Sequence, residues 1–258
     1  MNATASAAQS TNNEADRDLS VNGKYESGEV DSNYGYLSGY KKPRLFVNQV
    51  ILLKKEVPQL GKRPIVGNLT SDLRDGAEGM FGLPNIWRPS PVVTDPYNEL
   101  VNQMLNLIKQ EREGKFHNFL EGQLSPDNFR QTAFSEKVLQ KLSEDQNHPD
   151  ILVNQGQFGL LHRGRSPHWA RQIMVKQDQF GLGTLSVGLM LLRHPERLQH
   201  CDDLWIDCSG DELDNPTANE RFSLVPYFKF DGGRLCFGAR LKDKANSFYG
   251  SASGFIPN

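Results

Sequence analysis

A dense group of basic side chains stands in the segment FGLLHRGRSPHWARQ, residues 158–172. Arginine side chains grip phosphate and carboxylate groups through paired hydrogen bonds, and a helix start offers free backbone N–H groups and the positive end of its dipole. Ser166 followed by Pro167 is typical of a helix start, so we expect a helix directly behind the basic loop. The predicted ligand-binding residues of this anion site are His162, Arg163, Arg165, Ser166, His168 and Arg171.

The same segment has a plainer interpretation as a solvated loop. Surface arginines commonly pair with carboxylates of their own chain, and a serine caps a helix whether or not a ligand is bound. Neither a Walker-type glycine-lysine loop nor a GxGxxG motif follows any predicted strand, so no known phosphate motif supports the anion site. Both interpretations stay open at the level of the sequence.

Acidic side chains are concentrated further along the chain, in CDDLWIDCSGDELD, residues 201–214. Carboxylates at the end of a strand can hold Mg²⁺ or Mn²⁺, and Asp207, Asp211 and Glu212 are the candidate ligands here. With His162 as the general base, such a site would suit a metal-dependent phosphoester hydrolase or transferase. The competing interpretation is that these acids form turns and neutralise the basic segment within the same fold.

The three cysteines, Cys201, Cys208 and Cys236, are odd in number and lack zinc-finger spacing, which favours reduced thiols and a cytoplasmic location. A Cys208 nucleophile beside His162, or zinc held by His200, Cys201 and Cys208, would require residues to meet that the sequence does not bring together. Buried free thiols are the commoner outcome.

Apolar spacing and end signals predict five helices and several short strands. The helices are expected over 43–57, from Pro96 behind an Asp95 cap to Gly114, from Pro126 behind a Ser125 cap, from Pro167, and over 182–193. The strands are expected in GAEGMFGLP, DILV, DDLWIDC, LVPYFKF and GRLCFGARL, the last two joined as a hairpin across Asp231, Gly232 and Gly233.

These elements define an α+β fold class. We expect residues 43–258 to form a single main domain, in which several helices pack with a small, mostly antiparallel sheet. Residues 1–42 have almost no apolar periodicity and are predicted to be a disordered N-terminal tail.

The overall charge limits the partners that the chain can attract. With 29 basic and 31 acidic side chains the formal charge is −2, so any contact with nucleic acid must come from a local patch. The longest strongly apolar run, residues 185–192, is much shorter than the roughly 20 residues that cross a bilayer, so no membrane span is expected.

The sequence therefore predicts a binding or interaction protein that contacts a phosphate-bearing or carboxylate-bearing ligand around residues 162–171. It does not decide whether the chain is an enzyme, and the metal-dependent hydrolase is the first alternative. The second is a structural or assembly protein of a phage or mobile element, which would form homo-oligomers through the apolar helix 182–193 and the C-terminal aromatic residues.

Overall fold

The computed structural model describes residues 28–56, 72–87, 96–146 and 151–257. Within these ranges lie five α-helices and eleven strands. The helices are α1 (Phe46–Glu56), α2 (Tyr97–Glu111), α3 (Ala133–Gln146), α4 (Pro167–Lys176) and α5 (Thr184–Arg193). The strands are β1 (Gly79–Pro84), β2 (Phe116–Asn118), β3 (Phe129–Gln131), β4 (Ile151–Gln157), β5 (Gln179–Gly181), β6 (Trp205–Asp207), β7 (Asp211–Leu213), β8 (Leu224–Asp231), β9 (Arg234–Leu241), β10 (Tyr249–Ser251) and β11 (Ser253–Phe255).

The strands form two sheets, so the prediction of one small sheet is wrong, while the α+β class is confirmed. The first sheet has four antiparallel strands in the order β1-β4-β11-β5. The second has seven strands, with β10-β6-β8-β7-β3 along its main path; in addition β9 pairs with β8, and β2 pairs with β9. Only the β10–β6 and β2–β9 pairs of the described strands are parallel, as a mostly antiparallel arrangement requires.

The predicted hairpin is confirmed and consists of β8 and β9. Its register runs from Leu224 opposite Leu241 to Asp231 opposite Arg234. Gly232 and Gly233 close the turn with φ angles of 56° and 75°, the left-handed conformation that a two-residue hairpin turn requires.

Helix α5 lies in the centre of the molecule, as its all-round apolar sequence predicts. Nine of its ten residues are buried, and it packs across α2, where Gly188 leaves room for the Met104 side chain. The core around α5 joins side chains from both sheets into one hydrophobic cluster. The extent of the predicted domain, residues 43–258, stays a prediction.

The predicted start of α3 is wrong. Both the amide and the hydroxyl of Ser125 donate hydrogen bonds to Asn128 Oδ1, which closes a turn instead of opening a helix. Strand β3 follows and pairs with β7, and the helix begins only at Ala133. Thr132 is the residue that caps it, because its Oγ1 accepts the Ser135 N–H at 3.3 Å. The predicted Asp95 cap of α2 lies outside the described residues.

The prediction of a disordered tail over residues 1–42 is corrected for residues 28–42, which contact the folded body. Residues 28–42 form neither helix nor strand, but isolated β-bridges join Glu29 to Arg165 and Gly35 to Asp203, and Val30 N donates a hydrogen bond to Gly164 O at 2.9 Å. Residues 1–27 lie outside the described part of the chain.

Single aromatic anchors hold residues 28–42. Tyr40 is 3% exposed, and the Tyr36 hydroxyl donates to Glu78 Oε1 at 2.5 Å. The guanidinium of the buried Arg197 lies 3.7 Å from the centre of the Tyr36 ring. An irregular segment held by separate side chains needs no repeating apolar stripe, which is why the periodicity of the sequence gave no sign of it.

Among the described helices, none combines the length and the apolar character needed to cross a membrane.

Candidate functional site

The helix predicted behind the basic loop is present, but its start is occupied. Ser166 Oγ accepts the Trp169 N–H, and the Ser166 carbonyl accepts the Ala170 N–H. The His168 N–H donates to Lys242 O at 2.9 Å, and Pro167 has no N–H. All first-turn amides of α4 therefore bond within the protein, and none is free for an anion.

His162 is buried and neutral. Its Nε2 lies 2.9 Å from Gln179 Oε1, and its Nδ1 lies 3.0 Å from Arg165 Nη1. Because an arginine can only donate, Nδ1 must accept and the proton sits on Nε2. Burial lowers the pKa of His162 to about 4. The imidazole therefore bonds to interior groups and is not placed to serve as a solvent-facing base.

The arginines of the basic segment lie among different neighbours. Arg165 pairs with Glu29 at 3.1 Å. Arg171 points into the protein and donates to Ser209 O and Asp211 O, each at 2.7 Å. Arg163 is exposed and donates to a backbone carbonyl, while His168 is exposed beside Gln172. The structure thus does not gather the six predicted ligand-binding residues around one opening.

The three predicted metal ligands are also separated. Asp207 forms a two-pronged ion pair with Arg240, with N···O distances of 2.8 and 2.7 Å. Glu212 faces Arg130 and Arg171. In the described ranges the ligand atoms of these acids form no group that could share one ion. These contacts fit the alternative prediction, in which the acids neutralise basic side chains of the same fold.

Cys208 does not contact His162 as a catalytic pair would. It is fully buried, and burial raises the pKa of its thiol well above the ordinary value, so it remains protonated. Cys201 is exposed beside His200, whereas Cys208 is buried, and among the described residues the candidate metal group that contains His200 and Cys201 does not include Cys208.

Asp211 caps the buried helix α5. Its Oδ2 accepts the Thr184 N–H at 2.6 Å, and the Tyr97 hydroxyl lies 2.9 and 3.0 Å from the two carboxylate oxygens. Burial raises the pKa of Asp211 to about 7, although both hydrogen bonds favour the charged form. Asp211 is therefore partly protonated near neutral pH.

This raised pKa predicts how stability depends on pH. Between about pH 4 and pH 7 the folded chain keeps a proton on Asp211 that the unfolded chain has released, so the stability from this group is lost as pH rises through that window. The substitution Asp211→Asn removes the titration and keeps the shape. From pH 5 to pH 8 we expect the unfolding free energy of the natural protein to fall by roughly 2–3 kcal/mol relative to the variant.

Urea unfolding of both proteins at the two pH values measures this difference. The buried His162 and His194, whose pKa values burial lowers to about 4, oppose the effect because their stability is lost as pH falls below about 6.5. They titrate in both proteins and cancel in the comparison. Parallel pH curves for the two proteins would rule out a raised Asp211 pKa.

A cleft of about 630 Å³ opens beside Tyr97, in the size range of small-molecule sites. It lies between the start of α2, strand β3, the start of α3 and strand β7. The rings of Tyr97 and Phe129 stack in its wall with their centres 5.7 Å apart. The polar side chains in its wall are Asn98, Arg130, Gln131, Glu136 and Glu212.

Arg130 belongs to a charged network at this cleft. Its Nη2 lies 3.1 Å from Glu212 Oε2, and the other oxygen of that carboxylate lies 3.4 Å from Arg171 Nη1. The Arg130 guanidinium also lies 3.7 Å from the centre of the Phe222 ring. The side chain of Arg130 is 56% exposed, against 19% for Arg171, so Arg130 is the cation that solvent and ligands can reach.

Arg171 and Glu212 are among the predicted site residues, whereas no sequence pattern indicates a site role for Tyr97, Arg130 or Glu136. Tyr97 was part of an apolar helical stripe, which indicates core packing. Arg130 and Glu136 stood in the segment assigned to one continuous helix. No local signal in the sequence reveals that β3 interrupts this segment and brings Arg130 to Glu212.

No protein-family model, curated protein or solved structure matches this chain.

Proposed function

We propose that the protein is a binding protein that holds a small anionic ligand in the cleft beside Arg130. The observation that carries the proposal is the sharing of one carboxylate, Glu212, between the two guanidiniums of Arg130 and Arg171. Glu212 therefore divides its negative charge between two guanidiniums and does not neutralise Arg130 alone. Arg171 is held inside by carbonyl groups and lies near Asp211 as well, whereas Arg130 is exposed and is the cation of the cleft wall, which also holds the carboxylate of Glu136.

The walls of the cleft indicate what kind of molecule carries the anionic group. The ring of Tyr97, which is partly exposed and stacks on the buried Phe129, suits a flat, partly apolar body. Arg130 suits a phosphate or carboxylate, which a guanidinium binds through two parallel hydrogen bonds. Glu136 adds a carboxylate that accepts hydrogen bonds, while Gln131 Oε1 already accepts the Trp87 Nε1–H at 2.9 Å. A small aromatic carboxylate or a nucleoside monophosphate has this combination.

Arg130→Gln tests the proposal, with Arg221→Gln as a matched control. Arg221 is also exposed, pairs with Asp214 at 3.0 Å, and lies 5.1 Å from the centre of the Phe222 ring that Arg130 covers. We expect 4-hydroxybenzoate or AMP to raise the melting temperature of the natural protein and of Arg221→Gln. In Arg130→Gln the affinity should fall roughly 10- to 100-fold, because one charged hydrogen-bonding partner is lost.

Isothermal titration calorimetry with the same compounds gives the affinities. Equal binding by both variants would contradict the proposal. Loss of binding on changing Arg163 and Arg165 to alanine, with Arg130→Gln unaffected, would instead support a site at residues 162–171.

The other expectations from the sequence stay proposals with less support. The metal-dependent hydrolase needs Asp207, Asp211 and Glu212 at one ion, whereas their contacts are separate. Self-association through the apolar helix lacks a surface, because α5 is almost entirely buried, and Phe255 near the C-terminus is only 3% exposed. A cytoplasmic location and a local nucleic-acid patch stay predictions.

A further inference from the structure

Three different metal-binding side chains meet on an exposed turn before strand β6. They are His200, Cys201 and Asp202, and one ligand atom from each lies within 4.8 Å of the other two. The Cys201 Sγ is 3.9 Å from His200 Nδ1, and that nitrogen is 3.7 Å from Asp202 Oδ2. In the part of the chain that the structure describes, this is the one such group.

These spacings are close to those of a tetrahedral metal site. Zinc bonds of about 2.3 Å to sulfur and about 2.0 Å to nitrogen and oxygen place sulfur about 3.5 Å from nitrogen, and nitrogen about 3.3 Å from oxygen. The observed distances exceed these by roughly 0.4 Å each. The third edge, from Cys201 Sγ to an Asp202 carboxylate oxygen, lies within 4.8 Å, so rotations of the three exposed side chains must shorten all three distances.

The turn that carries the three ligands is fixed from behind by Asp203. This buried carboxylate accepts the backbone N–H groups of Gln199 and His200 at 2.9 and 2.8 Å. It also accepts the N–H groups of Leu37 and Ser38 from the N-terminal segment. Because four backbone amides converge on it, the turn is held in one shape before any ion arrives, which lowers the cost of binding.

His200 already has the protonation form that a metal requires at Nδ1. The Asp202 N–H donates to this nitrogen at 3.1 Å, so the nitrogen is an acceptor and its proton is absent. A metal ion would take the place of that hydrogen bond, and water would then solvate the Asp202 N–H where it stands, because Asp202 is exposed.

We propose that His200, Cys201 and Asp202 bind a divalent metal ion of the zinc class. Thiolate and imidazole ligands favour Zn²⁺, Co²⁺, Ni²⁺ or Cu²⁺ over Mg²⁺ and Ca²⁺. The Cys201 thiol gives its proton to solvent as the metal–sulfur bond forms, so uptake releases a proton. Three protein ligands leave a fourth position for water, the arrangement of an open zinc site. This site shares no residue with the Arg130 cleft, so the two proposals can fail separately.

Titration of the full-length, tag-free protein with Co²⁺ tests the site. Cobalt in a tetrahedral thiolate site gives visible absorption bands and an ultraviolet charge-transfer band from the Co–S bond. We expect both at one equivalent of Co²⁺, and we expect Zn²⁺ to abolish them by displacement. The bands should be lost in Cys201→Ser and in His200→Ala, two exposed positions where circular dichroism can confirm folding.

His168→Asn is the matched control, because His168 is another exposed histidine with an aspartate 3.9 Å away but no cysteine beside it. This variant should bind Co²⁺ as the natural protein does. Charge-transfer absorption that persists in Cys201→Ser would assign the metal to another thiol. Absence of stoichiometric Co²⁺ uptake by the reduced natural protein would overturn the proposal.

Discussion

The substitution Gly210→Ala is expected to lower the free energy of unfolding by more than about 4 kcal/mol, a large share of the stability of a typical domain. Gly210 lies in the turn between β6 and β7, where the chain crosses the link between β5 and α5. A Cβ on this residue would lie 2.5 Å from Gly183 N and 2.7 Å from Leu182 C. Because both are backbone atoms, neither can move aside as a flexible side chain would.

The crossing also positions the candidate site. The Gly210 N–H donates to Leu182 O at 3.0 Å, and its carbonyl accepts the Thr132 N–H at 2.8 Å. The two residues that follow are Asp211, which caps α5, and Glu212, which holds Arg130. Separation of the two backbones would therefore loosen both the helix cap and the wall of the cleft.

Chemical denaturation of Gly210→Ala beside Gly35→Ala measures the effect. A Cβ at Gly35 would have no described atom within 4 Å, so this control isolates the crowding from the change of glycine to alanine. A Gly210→Ala protein within about 1 kcal/mol of the control would show that the two backbones do not touch as the structure has them.

The second large effect is expected at the buried ion pair of Asp207 and Arg240. Asp207 is fully buried, and the Arg240 side chain is 7% exposed. The arginine covers the Tyr249 ring, with its guanidinium carbon 4.2 Å from the ring centre. Asp207→Asn would leave a buried guanidinium without its counter-charge, which costs about 3–5 kcal/mol.

A double-mutant cycle isolates the interaction between Asp207 and Arg240 from the other effects of the two substitutions. We expect Asp207→Leu with Arg240→Met to be less destabilised than the sum of the two single changes, because the double variant buries no unpaired charge. The unfolding free energies of the four proteins, measured by urea denaturation, give the coupling free energy. Additive effects would mean that the two side chains do not depend on each other.

Local signals in the sequence predicted the parts of the fold that local interactions determine. Ser166 and Pro167 start α4 because capping and a fixed φ act within one turn. The two glycines of the β8–β9 hairpin act through their own backbone conformation. The all-round apolar sequence of α5 predicted its burial directly. These elements can be predicted without knowing which distant residues contact them.

The role of the basic segment could not be predicted, because its partners lie far away in the sequence. Arg165 pairs with Glu29, and Arg171 pairs with Glu212 and bonds to the Ser209 carbonyl. Whether an arginine is used internally depends on which acids the topology brings to it. The density of charge predicted strong electrostatic interactions, and it did not reveal that most of them are internal.

The Arg130 cleft was hidden for a related reason. Strand β3 is only three residues long, and it stands between a turn and a helix whose sequences together resemble one helix. Its pairing with β7 joins residues more than 80 positions apart, such as Arg130 and Glu212. No pattern within one segment records such a pairing.

The most direct measurement of the central proposal is an NMR titration of the arginine side-chain Nε–Hε signals with AMP or 4-hydroxybenzoate. We predict that the Arg130 signal shifts as the ligand binds, while the signals of Arg163 and Arg165 stay in place. Shifts at Arg163 and Arg165 with an unchanged Arg130 signal would contradict the assignment of ligand binding to the cleft.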